Sequence, residues 1–351
     1  MQVALDLTGD MIAYSYFDGS DVVTEYLRNT IGFRTKDLFR IDGTVSQLIR
    51  MTKDMIGFAG VTATEAICAV PAYCSYAERE RLRKAAAACD LNIKYMVRGT
   101  FASAEMLFQR QDLGDETILL CSVRSNYVEF LLMDVGGNVL RVMGSATLFY
   151  DRSEVRENPE KLEQRVMSEL KALYNDLGLS YREKDEVPYI TCDERSEADA
   201  GYFSELLASC FGRDTVSFEN DTAAGAFYHL MKLDDFHEDR IKKLFAVDCC
   251  TEGISISSGV GGELVEVFRR NSELPVQKIV DLMMTYDNVL CFYGGNYRNR
   301  ELDEPIGTCR IPDQYRGQQI HVKVTLTEVG IVEYVVLDAK KQIIYPRRVL
   351  S

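Results

Sequence analysis

Three turns in this chain carry residues able to do chemistry. Asp6-Leu7-Thr8-Gly9-Asp10 closes an apolar run over 3–7. An acid at a strand end can hold a Mg²⁺-bound water, and Thr8-Gly9 can bring backbone amides against a phosphate. The plainer reading, an acid beside a hairpin turn, is preferred. Ser122-Val123-Arg124-Ser125-Asn126 stands in the equivalent place after the apolar run 118–122. Arg98 follows a third such run at 93–97, and Gly99-Thr100 then opens a helix. Arg98 and Arg124 can bind an anion, or they can pair with Asp6, Asp10 and Asp221 and close the site. Pairing is preferred, because matched buried charges can replace a ligand. Glu219-Asn220-Asp221-Thr222 reads as a helix N-terminus.

Other chemistries find little support. The ten cysteines stand singly apart from Cys249-Cys250, with no Cys-x-x-Cys pair, so no zinc site is expected. His229, His237 and His321 are too far apart in sequence for ligand spacing, and no metal site is assigned. A formal net charge of −14 argues against nucleic acid or an anionic membrane as partner. No leader or membrane span is read, and single cysteines within apolar runs fit a reducing cytoplasm.

The elements that position these turns follow a repeated pattern. Strand-like runs occupy 3–7, 11–17, 22–27 and 34–41, and Val45, Leu48, Ile49, Thr52 and Ile56 mark a helix. A strand at 66–70 is closed by Pro71, and a helix over 75–88 has Ser75 as N-cap with Glu78 three residues on. A strand at 93–97 and a helix over 101–109 complete a parallel crossover unit. The order then recurs. Strands are read at 118–122, 127–134 and 139–146, and Asn158, Pro159 and Gly178 bound one long helix with a Leu162, Val166, Leu170, Leu173, Leu177 stripe. Strand, helix, strand and helix follow at 187–191, 200–210, 215–218 and 221–233. The spacing predicts a duplicated α/β domain over 1–233, with lobe I at 1–112, lobe II at 113–233 and the turns facing a cleft between them. A charged linker at 234–243 precedes an all-β sandwich over 244–351, its first strand at 245–248 and a possible edge strand at 342–345.

Two stretches carry a family resemblance. Ala69-Val70-Pro71-Ala72-Tyr73, the basic helix after it and Cys89-Asp90-Leu91-Asn92-Ile93 resemble the seventy-kilodalton heat-shock chaperones of the DnaK type. The matching family segment reads Thr-Val-Pro-Ala-Tyr, a helix rich in Arg and Ala, then Ala-Gly-Leu and a strand. Leu244-Phe245-Ala246-Val247-Asp248, Gly253-Ile254, Val260-Gly261-Gly262, Arg270-Asn271 and Leu274-Pro275 are similar, in order, to the opening of that family's substrate domain. The resemblance implies a reduced actin-like ATPase fold (ribonuclease-H-like, duplicated) followed by a peptide-binding β-sandwich.

The departures bear on function. The family's first phosphate turn, Asp-Leu-Gly-Thr-Thr, is matched by Asp6 to Asp10, and Asp10 would repel phosphate. Its second, Asp-Leu-Gly-Gly-Gly-Thr, is matched by Ser122 to Tyr127, without the acid or the glycines. Asn-Glu-Pro-Thr-Ala-Ala becomes Arg98-Gly99-Thr100-Phe101-Ala102-Ser103, losing the catalytic Glu, and the adenosine-side Gly-Gly becomes roughly Cys192-Asp193-Glu194. The segment with the catalytic Lys, the lobe that clamps adenine and the helical lid have no counterpart. Asp6, Thr8, Gly9 and Asp221 are the vestigial nucleotide-site residues, and no catalytic residue is assigned. Catalytic parts act as a unit, so loss of several argues against hydrolysis.

In the sandwich, Ser257-Ser258-Gly259-Val260 and Tyr286-Asp287-Asn288 match the family's peptide-enclosing loops, the second one shortened. Ile256, Ser258, Val260, Leu282, Met284, Tyr286 and Val289 are therefore the candidate peptide contacts, with plain core as the simpler reading of the alternating apolar ones. The expectation is a nonenzymatic, chaperone-like binding protein or scaffold with a peptide or protein partner and no cofactor. The alternatives are a minimal ATP- and Mg²⁺-binding chaperone with weak ATPase activity and a structural module for oligomer assembly.

Overall fold

A computed structural model describes residues 1–350 except 10–11, 28–41, 59–61, 112, 137–138, 182–185, 193–195, 220, 235–244, 251–252, 295–304 and 328–330. The chain is mixed α/β, with four β-sheets and, among the described residues, seven α-helices. It divides into two compact units: Met1–Cys74 with Arg81–Val247, and Ser75–Glu80 with Asp248–Ser351. The predicted strand at 34–41, Asp10, Asp193, Glu194 and nearly all of the predicted linker lie outside the described residues.

The first unit is built twice over. Its first sheet holds β1 (Gln2–Asp6), β2 (Ile12–Phe17), β3 (Val22–Leu27), β4 (Glu65–Val70) and β5 (Asn92–Arg98) in the order β3-β2-β1-β4-β5. Its second holds β6 (Glu116–Val123), β7 (Tyr127–Gly136), β8 (Val139–Phe149), β9 (Val187–Cys192) and β10 (Val216–Ser217) in the matching order β10-β9-β6-β7-β8. In both, the first strand runs antiparallel to the second and parallel to the fourth. The apolar runs at β1, β4 and β6 are buried nearly throughout, as strands covered on both faces must be.

Helices α1 (Asp42–Phe58) and α2 (Tyr76–Ala87) flank β4 in sequence. The expected capping box of α2 forms: the Ser75 amide donates to Glu78 at 2.7 Å and the Glu78 amide to Ser75 Oγ at 3.3 Å. Helix α3 (Gly99–Arg110) follows β5. After β8 come a short α4 (Arg152–Glu157), capped by Asp151 and not anticipated from sequence, and α5 (Pro159–Asp176). Leu162, Val166, Leu170 and Leu173 of the stripe are buried as read, Leu177 falls at the C-cap half-buried, and the Asn158 side chain makes no capping hydrogen bond. Helix α6 (Glu197–Phe211) precedes β10, and α7 (Thr222–Leu233) follows it. Each half therefore ends in a buried helix, and α3 and α7 pack against one another. Helix α7 also lies on β1, β2 and β4 of the first sheet, and α3 touches β6 and β7 of the second.

One strand changes place. The sequence put 245–248 in the sandwich, but β11 (Phe245–Val247) runs parallel to β8 and adds a sixth strand to the second sheet. An exposed strand edge offers a ready ladder to any apolar segment leaving the domain.

In the second unit, β12 (Ile254–Ser258), β13 (Val265–Phe268), β15 (Val289–Gly294) and β16 (Gly307–Arg310) form a sheet in the order β13-β12-β15-β16. The other sheet joins β14 (Val276–Met283), β17 (Gln319–Leu326), β18 (Val332–Asp338) and β19 (Ile343–Val349) in chain order. The last extends the edge strand read at 342–345. Alternate residues such as Ile254, Phe292, Val322 and Val336 fill one core between the sheets.

Candidate functional site

The turns singled out from sequence meet where β1, β6 and β7 approach α3 and α7. Asp6, at the end of β1, is buried and accepts at a single oxygen from the Thr8 amide (2.9 Å) and the Thr8 hydroxyl (2.6 Å). The Thr8 methyl in turn abuts the first residue of α3, and a Cβ on Gly99 would sit 2.3 Å from it. No side chain fits at Gly99 without moving Thr8, which Asp6 holds. Gly9 is buried in the same turn.

The two arginines are enclosed. Arg98 and Glu129 have side chains each 1% exposed, with Nη1 3.4 Å from Oε1. Thr100, in the first turn of α3, donates its hydroxyl to the other carboxylate oxygen. An unpaired charge at this depth would be strongly disfavoured, so each group requires the other. Arg124 Nη2 donates to Thr222 Oγ1 at 3.0 Å, Ser103 lies 3.0 Å from the same oxygen, and the Tyr150 hydroxyl donates to the Arg124 carbonyl at 2.7 Å. Tyr127, in the place of the last residue of the second turn, is buried edge-on to Tyr73 at 5.2 Å between ring centroids. Burial pushes its hydroxyl well above the ordinary tyrosine range. Arg124 opposes this, and Tyr73, Glu129 and Asp6 add to it.

Asp221 takes the role read for it as a helix N-terminus: it caps α7 through the Ala224 amide at 2.9 Å. It also accepts from Thr24 at 3.1 Å and lies 3.6 Å from Arg110. The structure therefore brings Asp6, Thr8 and Gly9 together in one turn, with Asp221 engaged by β3 and α3. Arg98 pairs with Glu129, which the sequence reading did not name. The signal was there: a lone acid inside Tyr127-Val128-Glu129-Phe130-Leu131, where burial demands a cation or donors. A second charge cluster was also missed. Glu105 of α3, fully buried, pairs with His229 at 2.9 Å and with Lys232, both on α7. Burial works against ionised Glu105, but Lys232 and His229 outweigh it and hold the carboxyl below its usual range.

The sandwich candidates divide into two sets. Ile256, Leu282 and Met284 are buried in the core between the sheets, the simpler of the two readings. Ser258 and Val289 are half-buried. Val260 and Tyr286 stand out at 72% and 85% exposed. Their loops adjoin: Gly259 adopts φ +98°, its amide donates to the Val289 carbonyl at 2.6 Å, and its Cβ position lies 2.8 Å from Thr285 Oγ1. Among the described residues, no group of three or more His, Cys, Asp or Glu side chains is placed to hold a metal ion. No described helix is long and apolar enough to cross a membrane. No family model matches the sequence.

Proposed function

We propose that this chain is a nonenzymatic, chaperone-derived binding protein of the seventy-kilodalton heat-shock type. Its duplicated α/β unit is read as a reduced actin-like ATPase framework whose nucleotide cleft is closed by its own side chains. Its β-sandwich binds a peptide or partner protein in a reducing cytoplasm. The observation that carries the reading is the buried Arg98–Glu129 pair, which sits with Thr100 where the resemblance would put catalytic groups. The matching strand orders of the two halves and the crowding of Gly99 by Thr8 support it further. Exposed Val260 and Tyr286 on adjoining loops supply apolar contacts for an extended segment.

Calorimetric titration of ATP and of ADP with Mg²⁺ into the purified protein tests the closed cleft. Binding tighter than about 100 µM, roughly −5.5 kcal/mol, overturns it. A peptide array of short apolar segments tests the sandwich. Binding that Tyr286→Asp and Val260→Asp both abolish is the expected result, and an array without binders favours a structural module instead.

A further inference from the structure

The donors around Glu129 form a set that the pairing alone does not explain. Helix α3 begins with Arg98 as N-cap, and Arg98 gives the helix no side-chain cap. A carboxylate from another strand, Glu129 of β7, accepts from the Thr100 side chain in that first turn. Glu129 receives Arg98 at one oxygen and the Thr100 hydroxyl at the other, against the first turn of a twelve-residue helix. The positive end of a helix favours an anion there. A second observation is independent of the helix. Ser122 lies directly opposite Glu129 in the β6–β7 ladder, so both side chains stand on the same face. Its hydroxyl is fully buried and has no hydrogen-bond partner. Thr191, next to Ser122 in the β6–β9 ladder and 2% exposed, has an unpartnered hydroxyl as well. Buried hydroxyls without partners are uncommon, and here two of them extend the lane that Glu129 ends.

We propose that Arg98, Thr100 and the first turn of α3 form a carboxylate-binding site that the chain fills with its own Glu129, with the unpartnered Ser122 hydroxyl on the same sheet face beside it. The site holds a planar carboxylate by one guanidinium and the Thr100 hydroxyl, and Glu129 is its resident occupant. A chain lacking the Glu129 carboxylate accepts a free one of small size. The inference does not depend on what the sandwich binds, nor on whether the cleft admits nucleotide.

The test is chemical rescue of Glu129→Ala. Thermal unfolding is followed in sodium formate and in sodium chloride at matched ionic strength. The expected result is a lower unfolding temperature in chloride and a saturable rise in formate, absent from the wild type and from the double variant Arg98→Met, Glu129→Ala. Glu129→Gln fills the same space without the charge, so it is expected to fold and to show no formate response. If Glu129→Ala does not fold in chloride, recovery of cooperatively unfolding protein on refolding into formate is the expected result. Equal behaviour in the two salts overturns the proposal, as does failure to refold in both. A formate response in Glu129→Gln equal to that of Glu129→Ala also overturns it.

Discussion

Gly225→Ala tests how the two halves of the first unit are joined. Gly225 lies in α7 where that helix crosses α3, and an ideal Cβ there would stand 1.9 Å from the Ala102 carbonyl oxygen and 3.2 Å from Met106 Cβ. Ordinary contact begins near 3.4 Å, so the helices must part by about 1.5 Å. Overpacking of that kind costs about 1–3 kcal/mol. The Ser103–Thr222 contact, now 3.0 Å, would pass out of hydrogen-bond range, a further loss of about 0.5–1.5 kcal/mol. Against this, alanine is better than glycine inside a helix by about 1 kcal/mol. The net expectation is destabilisation by about 0.5–3.5 kcal/mol. Gly201→Ala is the matched control. Gly201 is an exposed position of α6 with nothing within 4 Å of its Cβ site, so only the propensity gain remains. It should stabilise by about 0.5–1 kcal/mol. Urea unfolding of both variants by circular dichroism reads the two signs as opposite shifts in midpoint at unchanged slope. If Gly225→Ala is as stable as Gly201→Ala, the crossing is not a tight contact and the reasoning fails.

Three further outcomes are expected. Gly99→Ala drives a methyl against Thr8 Cγ2 and should destabilise by about 1–3 kcal/mol. Thr8→Ser removes that methyl while keeping the hydroxyl on Asp6, so the double variant should recover most of the loss in urea unfolding, with non-additivity of about 0.5–3 kcal/mol. Lys232→Met leaves Glu105 buried with His229 alone and should cost about 3–5 kcal/mol near neutral pH. The native Glu105 carboxyl titrates below its ordinary 4.5, so its stabilisation is complete above that pH and lost as pH falls through the lowered value. In Lys232→Met the acid-side loss should start at higher pH, measurable from stability against pH between about 3 and 7. Finally, Cys89, Cys192 and Cys210 are half-buried and should react first with a thiol reagent in the native protein. Cys68 and Cys121, whose thiols burial pushes far up, should react only on unfolding.

The repeated α/β framework could be read from the chain because its signals are local. Buried central strands must be apolar throughout, so 66–70 and 118–122 declare themselves, and Ser75 with Glu78 announces a helix start within four residues. The interior of the site was less legible, because its contacts join residues far apart in sequence. Thr24 reaches Asp221, 197 positions away, and Glu105 reaches Lys232, 127 positions away. Sequence proximity to turns points Arg98 toward the acids Asp6, Asp10 and Asp221, whereas it pairs with Glu129 within a strand. Chain order and the resemblance of Leu244 to Asp248 likewise put 245–248 in the sandwich, whereas hydrogen bonding to β8 assigns Phe245–Val247 to the second sheet. For Ile256, Leu282 and Met284, alternation is the same whether a face is covered by another sheet or lines a groove.

The Arg98–Glu129 pair also sets the terms on which any polyanion would enter. A phosphate reaching the first turn of α3 must draw Arg98 and Thr100 away from Glu129, leaving that carboxylate buried and uncompensated. Breaking a buried pair in this one-sided way costs about 3–5 kcal/mol. At about 1.4 kcal/mol per decade, a site with an intrinsic dissociation constant near 1 µM would then bind at roughly 0.1–4 mM. Competition of this size needs no change in the fold around the pair. It also explains why one strand residue can matter more to this site than the turns around it: Glu129 supplies the negative charge that an anion would otherwise bring, and every donor it satisfies is one an anion must win back.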